Sequence, residues 1–358
     1  MSTPDSYADL EIRILERQDA GYPVEITLDG GQEFPRGFLA ADILPWTSTG
    51  DLRTDGERLF AALIADAPLR EAWAIARGQY PQRRVRLRLD TTAPELHALP
   101  WELLHDGKTW LSADAATPFS RYLPSDAPWG GLVTARPIRI LAVIANPADL
   151  VHYNLAPLDV AAERALLADA LGDLVPAHFD LEYLDAPVTL ERLERTLASG
   201  PHVLHFVGHG AFNARRQEAA LYLQDADGNA QIVTDAQLCD MLRRQGTLPS
   251  LVFLAACQSA ERSTVDAFVG LAPRLVQASV PAVVAMQDRV AMAATQKLTP
   301  VFYEELARHG EVDHALNAAR SLLLTGQSVD AATPVLLMRL KDAQLWEPLW
   351  AKTNPYRG

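Results

Sequence analysis

Two residues combine a reactive side chain with the place where an apolar run stops. His209 follows Val203-Leu204-His205-Phe206-Val207-Gly208, and Cys257 closes Leu251-Val252-Phe253-Leu254-Ala255-Ala256. An imidazole titrates near neutral pH, and a thiolate is a strong nucleophile, so the pair fits acyl transfer: sulfur attacks a carbonyl carbon while the imidazole takes its proton. The developing oxyanion needs donors, and the backbone amides of Gly210 and Cys257 are the candidates. Glycine at 210 has no Cβ to hold a carbonyl away from the main chain. Parallel sheets collect their sites at the carboxyl ends of strands, so residues far apart in sequence meet there if their strands are neighbours.

The remaining reactive groups read differently. Cys239 lies within Ala236-Gln237-Leu238-Cys239-Asp240-Met241-Leu242, where an amphipathic helix accounts for it as a small buried hydrophobe. Strand alternation puts His205 on one face with Val203 and Val207, a supporting rather than a reacting position. A metal site built on His205 and His209 lacks a third ligand at useful spacing. No Gly-x-Ser-x-Gly elbow occurs, nor a Gly-x-x-x-x-Gly-Lys-Ser/Thr loop. The loop after the first long apolar strand is Asn146-Pro147-Ala148-Asp149, which is not glycine-rich.

The elements that must position these residues fall into two styles. Up to about residue 130 the strands alternate, as in Leu10–Leu15, Val24–Leu28 and Arg84–Asp90. Helical spacing covers Gly56–Ala65 and Leu69–Arg77. Leu10–Leu15 and Val24–Leu28, the second followed by the turn signal Asp29-Gly30-Gly31, predict a half-exposed antiparallel sheet, and the mixture predicts a small α+β domain over 1–130. A Pro-, Ser-, Asp- and Gly-rich stretch between Leu123 and Pro137 reads as a linker. From 131 to 358 the strands are short and apolar throughout: Ile138–Ala145, Leu181–Leu184, Val203–Val207, Leu251–Ala256 and Ala282–Met286. Helices are expected between them, capped by Thr189 and by Thr234 or Asp235, with two long helices over Ala291–His309 and Val312–Leu324. Strands buried on both faces imply an α/β domain, a mostly parallel sheet flanked by helices.

Composition narrows the partners. With 358 residues, 49% of them hydrophobic and 22% charged, the chain has the makeup of a globular protein. A formal net charge of −13 disfavours nucleic acid and anionic membranes as general partners and favours a protein or peptide. The two cysteines form no Cys-x-x-Cys pair, so free thiols in a reducing compartment are expected. No signal-peptide pattern and no membrane-spanning run is seen, and the expected location is cytoplasmic.

Taken together, these motifs resemble the CHAT family of caspase-like, clan CD cysteine peptidases over roughly residues 97–340. The resemblance is carried by Leu99-Pro100-Trp101-Glu102-Leu103-Leu104, Leu204–Gly210, Leu254–Ser259, Gly270–Leu275, Val280–Asp288 and Phe302–Leu306. It implies His209 as general base, Cys257 as nucleophile, and peptide-bond hydrolysis without metal or organic cofactor. It also implies a protein substrate and a protein activator, in prokaryotic antiviral defence or programmed cell death, with gasdermin-like or CRISPR-associated proteins among the substrates of relatives. With a caspase-like strand order, Asp225 and Asp288 approach one edge of the sheet, where a carboxylate would favour a basic P1 side chain. A helix cap or a solvated loop is the alternative for each. A scaffold that keeps the fold without catalysis is the rival from another functional class.

Overall fold

A computed structural model describes residues 7–90, 92–125, 131–213, 215–255, 262–286, 292–326 and 328–348. The chain divides into two compact units, Met1–Leu123 with Leu316–Ala332, and Pro124–Ala315 with Thr333–Gly358.

In the first unit, β1 (Ala8–Ile14) and β2 (Tyr22–Leu28) form an antiparallel hairpin, edged by the short β3 (Gln32–Glu33) and β4 (Gly37–Leu39). Helices α1 (Leu52–Leu63) and α2 (Ala67–Gln79) follow. Asp51 caps α1 by accepting the Thr54 amide. The hairpin keeps the antiparallel pairing expected of its two strands, while β5 (Arg83–Leu89) and β6 (Phe119–Tyr122) add parallel to β1 and to one another, an extension that the alternation does not predict. A second difference concerns β5. Its alternating arginines read as a solvent face, yet Arg83, Arg84 and Arg86 are buried. Their guanidinium groups lie over the rings of Trp73, Tyr7 and Tyr122, and Arg86 Nε also donates to Asp9 at 2.6 Å. Aromatic faces cover the stems while the charges keep partners.

The Leu99–Leu104 motif is a buried ionic clasp of this unit. Trp101 is fully buried and donates from Nε1 to Leu96 O at 2.7 Å, and Glu102 receives Arg121 bidentately at 3.0 and 2.6 Å. Arg121 also donates to the carbonyls of His97 and Leu99.

The second unit contains β7 (Ile138–Ile144), α3 (Val160–Leu171), β8 (Phe179–Leu184), α4 (Leu190–Leu197) and β9 (Val203–Val207). Next come β10 (Gly210–Asn213), β11 (Glu218–Gln224), β12 (Ala230–Thr234), α5 (Asp235–Arg243), β13 (Leu251–Ala255) and α6 (Arg262–Gln277). After these come β14 (Ala282–Met286), α7 (Met292–His309), α8 (Val312–Thr325), which belongs to the first unit from Leu316 onward, and β15 (Pro334–Met338). The strand order is β15-β14-β13-β9-β7-β8. Five of these strands run parallel, as their unbroken apolar character predicts, and β15 runs antiparallel to β14. A separate antiparallel sheet, β10-β11-β12, leaves the carboxyl end of β9. The caps fall where hydroxyls mark them: Thr189 accepts the Arg192 amide, and Thr234 forms a reciprocal capping box with Gln237. Among the described residues no helix is long and apolar enough to cross a membrane.

Candidate active site

The site begins with strand register. Val207, the last residue of β9, is the partner of Ile144 on one side and of Ala255 on the other, so three parallel strands end at one level. The chain leaves that level through Gly208, where a Cβ would stand 2.8 Å from Phe206 Cζ and 3.4 Å from Ala145 Cβ. Any larger residue would push the exit away from the strand.

His209 follows. It lies on the connection between β9 and β10, past the apolar run as expected, and is wholly buried there, with 0% of its surface exposed. Its Nε2 lies 2.7 Å from Ala156 O. A carbonyl only accepts, so Nε2 carries the proton and Nδ1 carries the lone pair, which defines the nitrogen able to act as a base. The backbone is held as well: His209 O accepts the Tyr222 amide at 3.0 Å. Gly210 opens β10 opposite Leu221 and is buried.

The carbonyl that orients His209 belongs to a loop fastened at several points. Asn146 accepts the Leu158 amide at 2.9 Å and donates to Leu158 O at 3.2 Å, closing residues 146–158 into a loop with paired ends. Asp149 accepts the Ala230 amide and Gly228 O accepts the Ala148 amide, tying it to the β11–β12 hairpin. Leu150, Leu155 and Tyr222 bury themselves together, and Asn154 supplies a left-handed turn at φ 57°. The Asn146-Pro147-Ala148-Asp149 segment therefore builds the wall of the site. Ala156 acts through its main chain, so no side-chain signal in the sequence marks it.

Four residues before His209, within β9, His205 is buried in the core. Its ring stacks on Phe253 at 4.8 Å and 13°, and Nδ1 lies 2.9 Å from the Tyr303 hydroxyl of α7. Burial pushes its pKa down to about 4, so the ring is neutral at pH 7. His202, at the start of the strand, accepts the Arg139 amide on Nδ1, and its pKa also falls to about 4, by burial and by Arg139 and Arg136 nearby. Of the three histidines between 202 and 209, only His209 lies past the carboxyl end of β9. Cys239 behaves as the helix pattern predicts: it is buried, Sγ faces Arg274 O at 3.6 Å, and burial pushes its thiol up to about 11.

Cys257 and Asp288 lie outside the described residues. Asp225 is described. Its Oδ1 accepts the amides of Asp227 and Asn229, both at 2.9 Å, and its own amide donates to Asn229 O. The carboxylate thus closes the β11–β12 turn, three residues and about 10 Å along the strand from Tyr222. Beside this edge a pocket of about 190 Å³ opens at the carboxyl ends of β7 and β8, lined by Ile144, Asn146, Leu184, Tyr183, Gln224 and Arg164 among others.

Solved structures show distant likenesses. A chain of the separase–securin complex of Saccharomyces cerevisiae aligns with 78% of this chain at 14% identity and a TM-score of 0.40, while this chain spans only 17% of that one. The Porphyromonas gingivalis complex of RgpB pro- and mature domains aligns with 87% of this chain and 73% of its own, at 10% identity and a TM-score of 0.42. No curated protein matches the chain significantly. The CHAT domain model matches residues 53–356. That match covers most of the sequence, including the strand carrying His209, and the chain belongs to the CHAT domain family.

Proposed function

We propose that this protein is a cysteine endopeptidase in which His209 is the general base and Cys257 the nucleophile. The observation that carries the reading is the fixed tautomer of His209, with Nε2 committed to Ala156 O. Strand register adds support: Val207 and Ala255 are partners on adjacent parallel strands, and His209 and Cys257 each follow by two positions. Adjacent strands are about 4.8 Å apart, a spacing that suits proton transfer between residues at their ends.

The thiol proton passes to Nδ1 of His209, and the thiolate attacks the scissile carbonyl. The amides of Gly210 and Cys257 hold the oxyanion. The imidazolium returns its proton to the leaving amine, and water hydrolyses the thioester with His209 again as base. The Ala156 carbonyl keeps the ring in place and stabilises its charged form through a stronger hydrogen bond.

We assign it one or a few protein substrates, activation by a partner protein in prokaryotic antiviral defence or cell death, and a basic P1 residue recognised by Asp225 and Asp288. Asp225 also closes a turn, so Asp288→Ala is the cleaner probe of that preference. The decisive experiment co-expresses the wild-type, Cys257→Ala or His209→Ala chain with the proteins encoded beside its gene and reads cleavage by intact mass. A cut made by the wild type alone supports the dyad and reveals P1. A cut that persists in Cys257→Ala refutes it. Labelling of Cys257 by an acyloxymethyl ketone separates a latent enzyme from a scaffold, which would leave the thiol unmodified.

A further inference from the structure

The helix corner at 305–314 brings together three donors for which peptide hydrolysis has no use. Helix α7 ends at His309, Gly310 turns the chain at φ +74°, and α8 begins at Val312. A Cβ at 310 would stand 1.8 Å from Trp346 O, so the corner admits only glycine in this geometry. It is bolted down on every side: Gly310 N donates to Leu306 O, Leu345 N to Gly310 O, Val312 N to Ala343 O, and Gln344 Nε2 to His309 O.

This rigid corner projects Glu305 and His309 from one face of α7, one helical turn apart, and His314 from the first turns of α8. His309 Nε2 is 3.3 Å from Glu305 Oε2, and the two imidazole rings are 4.7 Å apart. One ligand atom from each of the three residues falls within 4.8 Å of the others, and all three side chains are half-buried.

We propose that Glu305, His309 and His314 form a transition-metal site, suited to Zn²⁺, that clips α7 to α8. Two imidazoles and a carboxylate are ordinary zinc donors, with a fourth position left for water. Bonds of about 2.0 to 2.2 Å in a tetrahedron put ligand atoms about 3.3 to 3.6 Å apart. The Glu305–His309 separation already meets that span. His314 offers a ring nitrogen within 4.8 Å of both. Calcium and magnesium, which take oxygen ligands, do not match this donor set.

The contact between Glu305 and His309 uses Oε2 of the carboxylate. Arg308 contacts the other oxygen, Oε1, at 3.5 Å and Glu304 at 2.9 Å, so Oε2 remains the oxygen directed at His309. The clip acts on the helix that carries Tyr303, two residues before Glu305, and so on the hydroxyl that holds His205.

The test is calorimetric titration of Zn²⁺ into the full chain, wild type and Cys257→Ala, with Co²⁺ absorption as a second readout. The expected result is one equivalent bound in both, weakened at least about tenfold by His309→Ala or His314→Ala and unaffected by His178→Ala. Cobalt should show tetrahedral d–d bands without thiolate charge transfer, a readout on the wild type that holds even if a variant fails to fold. No binding overturns the proposal. So does binding that survives the double histidine variant but disappears in Cys257→Ala, because the ion then sits at the thiol.

Discussion

Acidifying the protein from pH 7 to pH 4 should remove about 3 kcal/mol of stability through His205 alone. A histidine in the unfolded chain titrates near 6.5, while His205 in the folded protein is pushed down to about 4 by burial against Phe253 and Tyr303. The folded-state value is the lower one, so the unfolded chain takes up the proton first. The contribution is complete above about 6.5, declines as pH falls, and is exhausted near 4. At about 1.4 kcal/mol per pKa unit the gap amounts to about 3 kcal/mol. The assay is urea unfolding at several pH values between 7 and 4, comparing wild type with the His205→Phe, Tyr303→Phe double variant. A phenyl ring keeps the stack on Phe253, and removing both polar groups strands neither. Carboxylates, His97 and His202 titrate alike in both proteins and cancel in the difference. That difference should shift against the wild type by about 3 kcal/mol across the range. A flat difference would mean that His205 is charged or hydrated within the fold, and the assignment of a neutral core histidine would be wrong.

Three further outcomes are expected. Glu102→Gln or Arg121→Ala should each cost about 3 to 5 kcal/mol in chemical denaturation, because the remaining partner stays in a dry site. The double replacement Glu102→Leu with Arg121→Met should recover most of that loss. Gly310→Ala should destabilise the chain by more than about 1 kcal/mol, seen as a lower Tm, since it must take a positive φ and meets Trp346 O. Cys239, with its thiol pushed up to about 11 by burial, should resist iodoacetamide at pH 7.5 in the folded protein and react in urea, as peptide mass mapping would show.

What could be read from the residues alone follows the reach of each physical effect. Strands β7, β9, β13 and β14 are legible because burial on both faces demands unbroken apolar runs, and the Thr189 and Thr234 caps because a hydroxyl competes locally for the first helical amides. The alternation of β9 correctly puts His205 on an inner face. The direction of β15 is not legible: Pro334–Met338 has the apolar character of its neighbours, and its antiparallel pairing is decided by the helices that precede it. The buried arginines of β5 escape a pattern reading because aromatic rings from distant segments cover them. At the site, the position of His209 could be seen from where the apolar run stops. Its burial and its partner could not, since Ala156 contributes a carbonyl that every residue possesses.

The assignment of Leu316–Ala332 to the first unit has a consequence for the order in which the protein can be made. Asn317 Nδ2 shares its two protons among the carbonyls of Leu111, Asp114 and Thr117, and its Oδ1 accepts the Phe119 amide, so one late side chain serves four backbone groups of the early unit. A ribosome delivers those four groups about two hundred residues before their partner. The unit that is translated first is therefore completed among the last, and a nascent chain stopped before Leu316 leaves both units unfinished. Since β15 also pairs with β14 only once the chain has passed Thr333, the second unit too awaits a late segment.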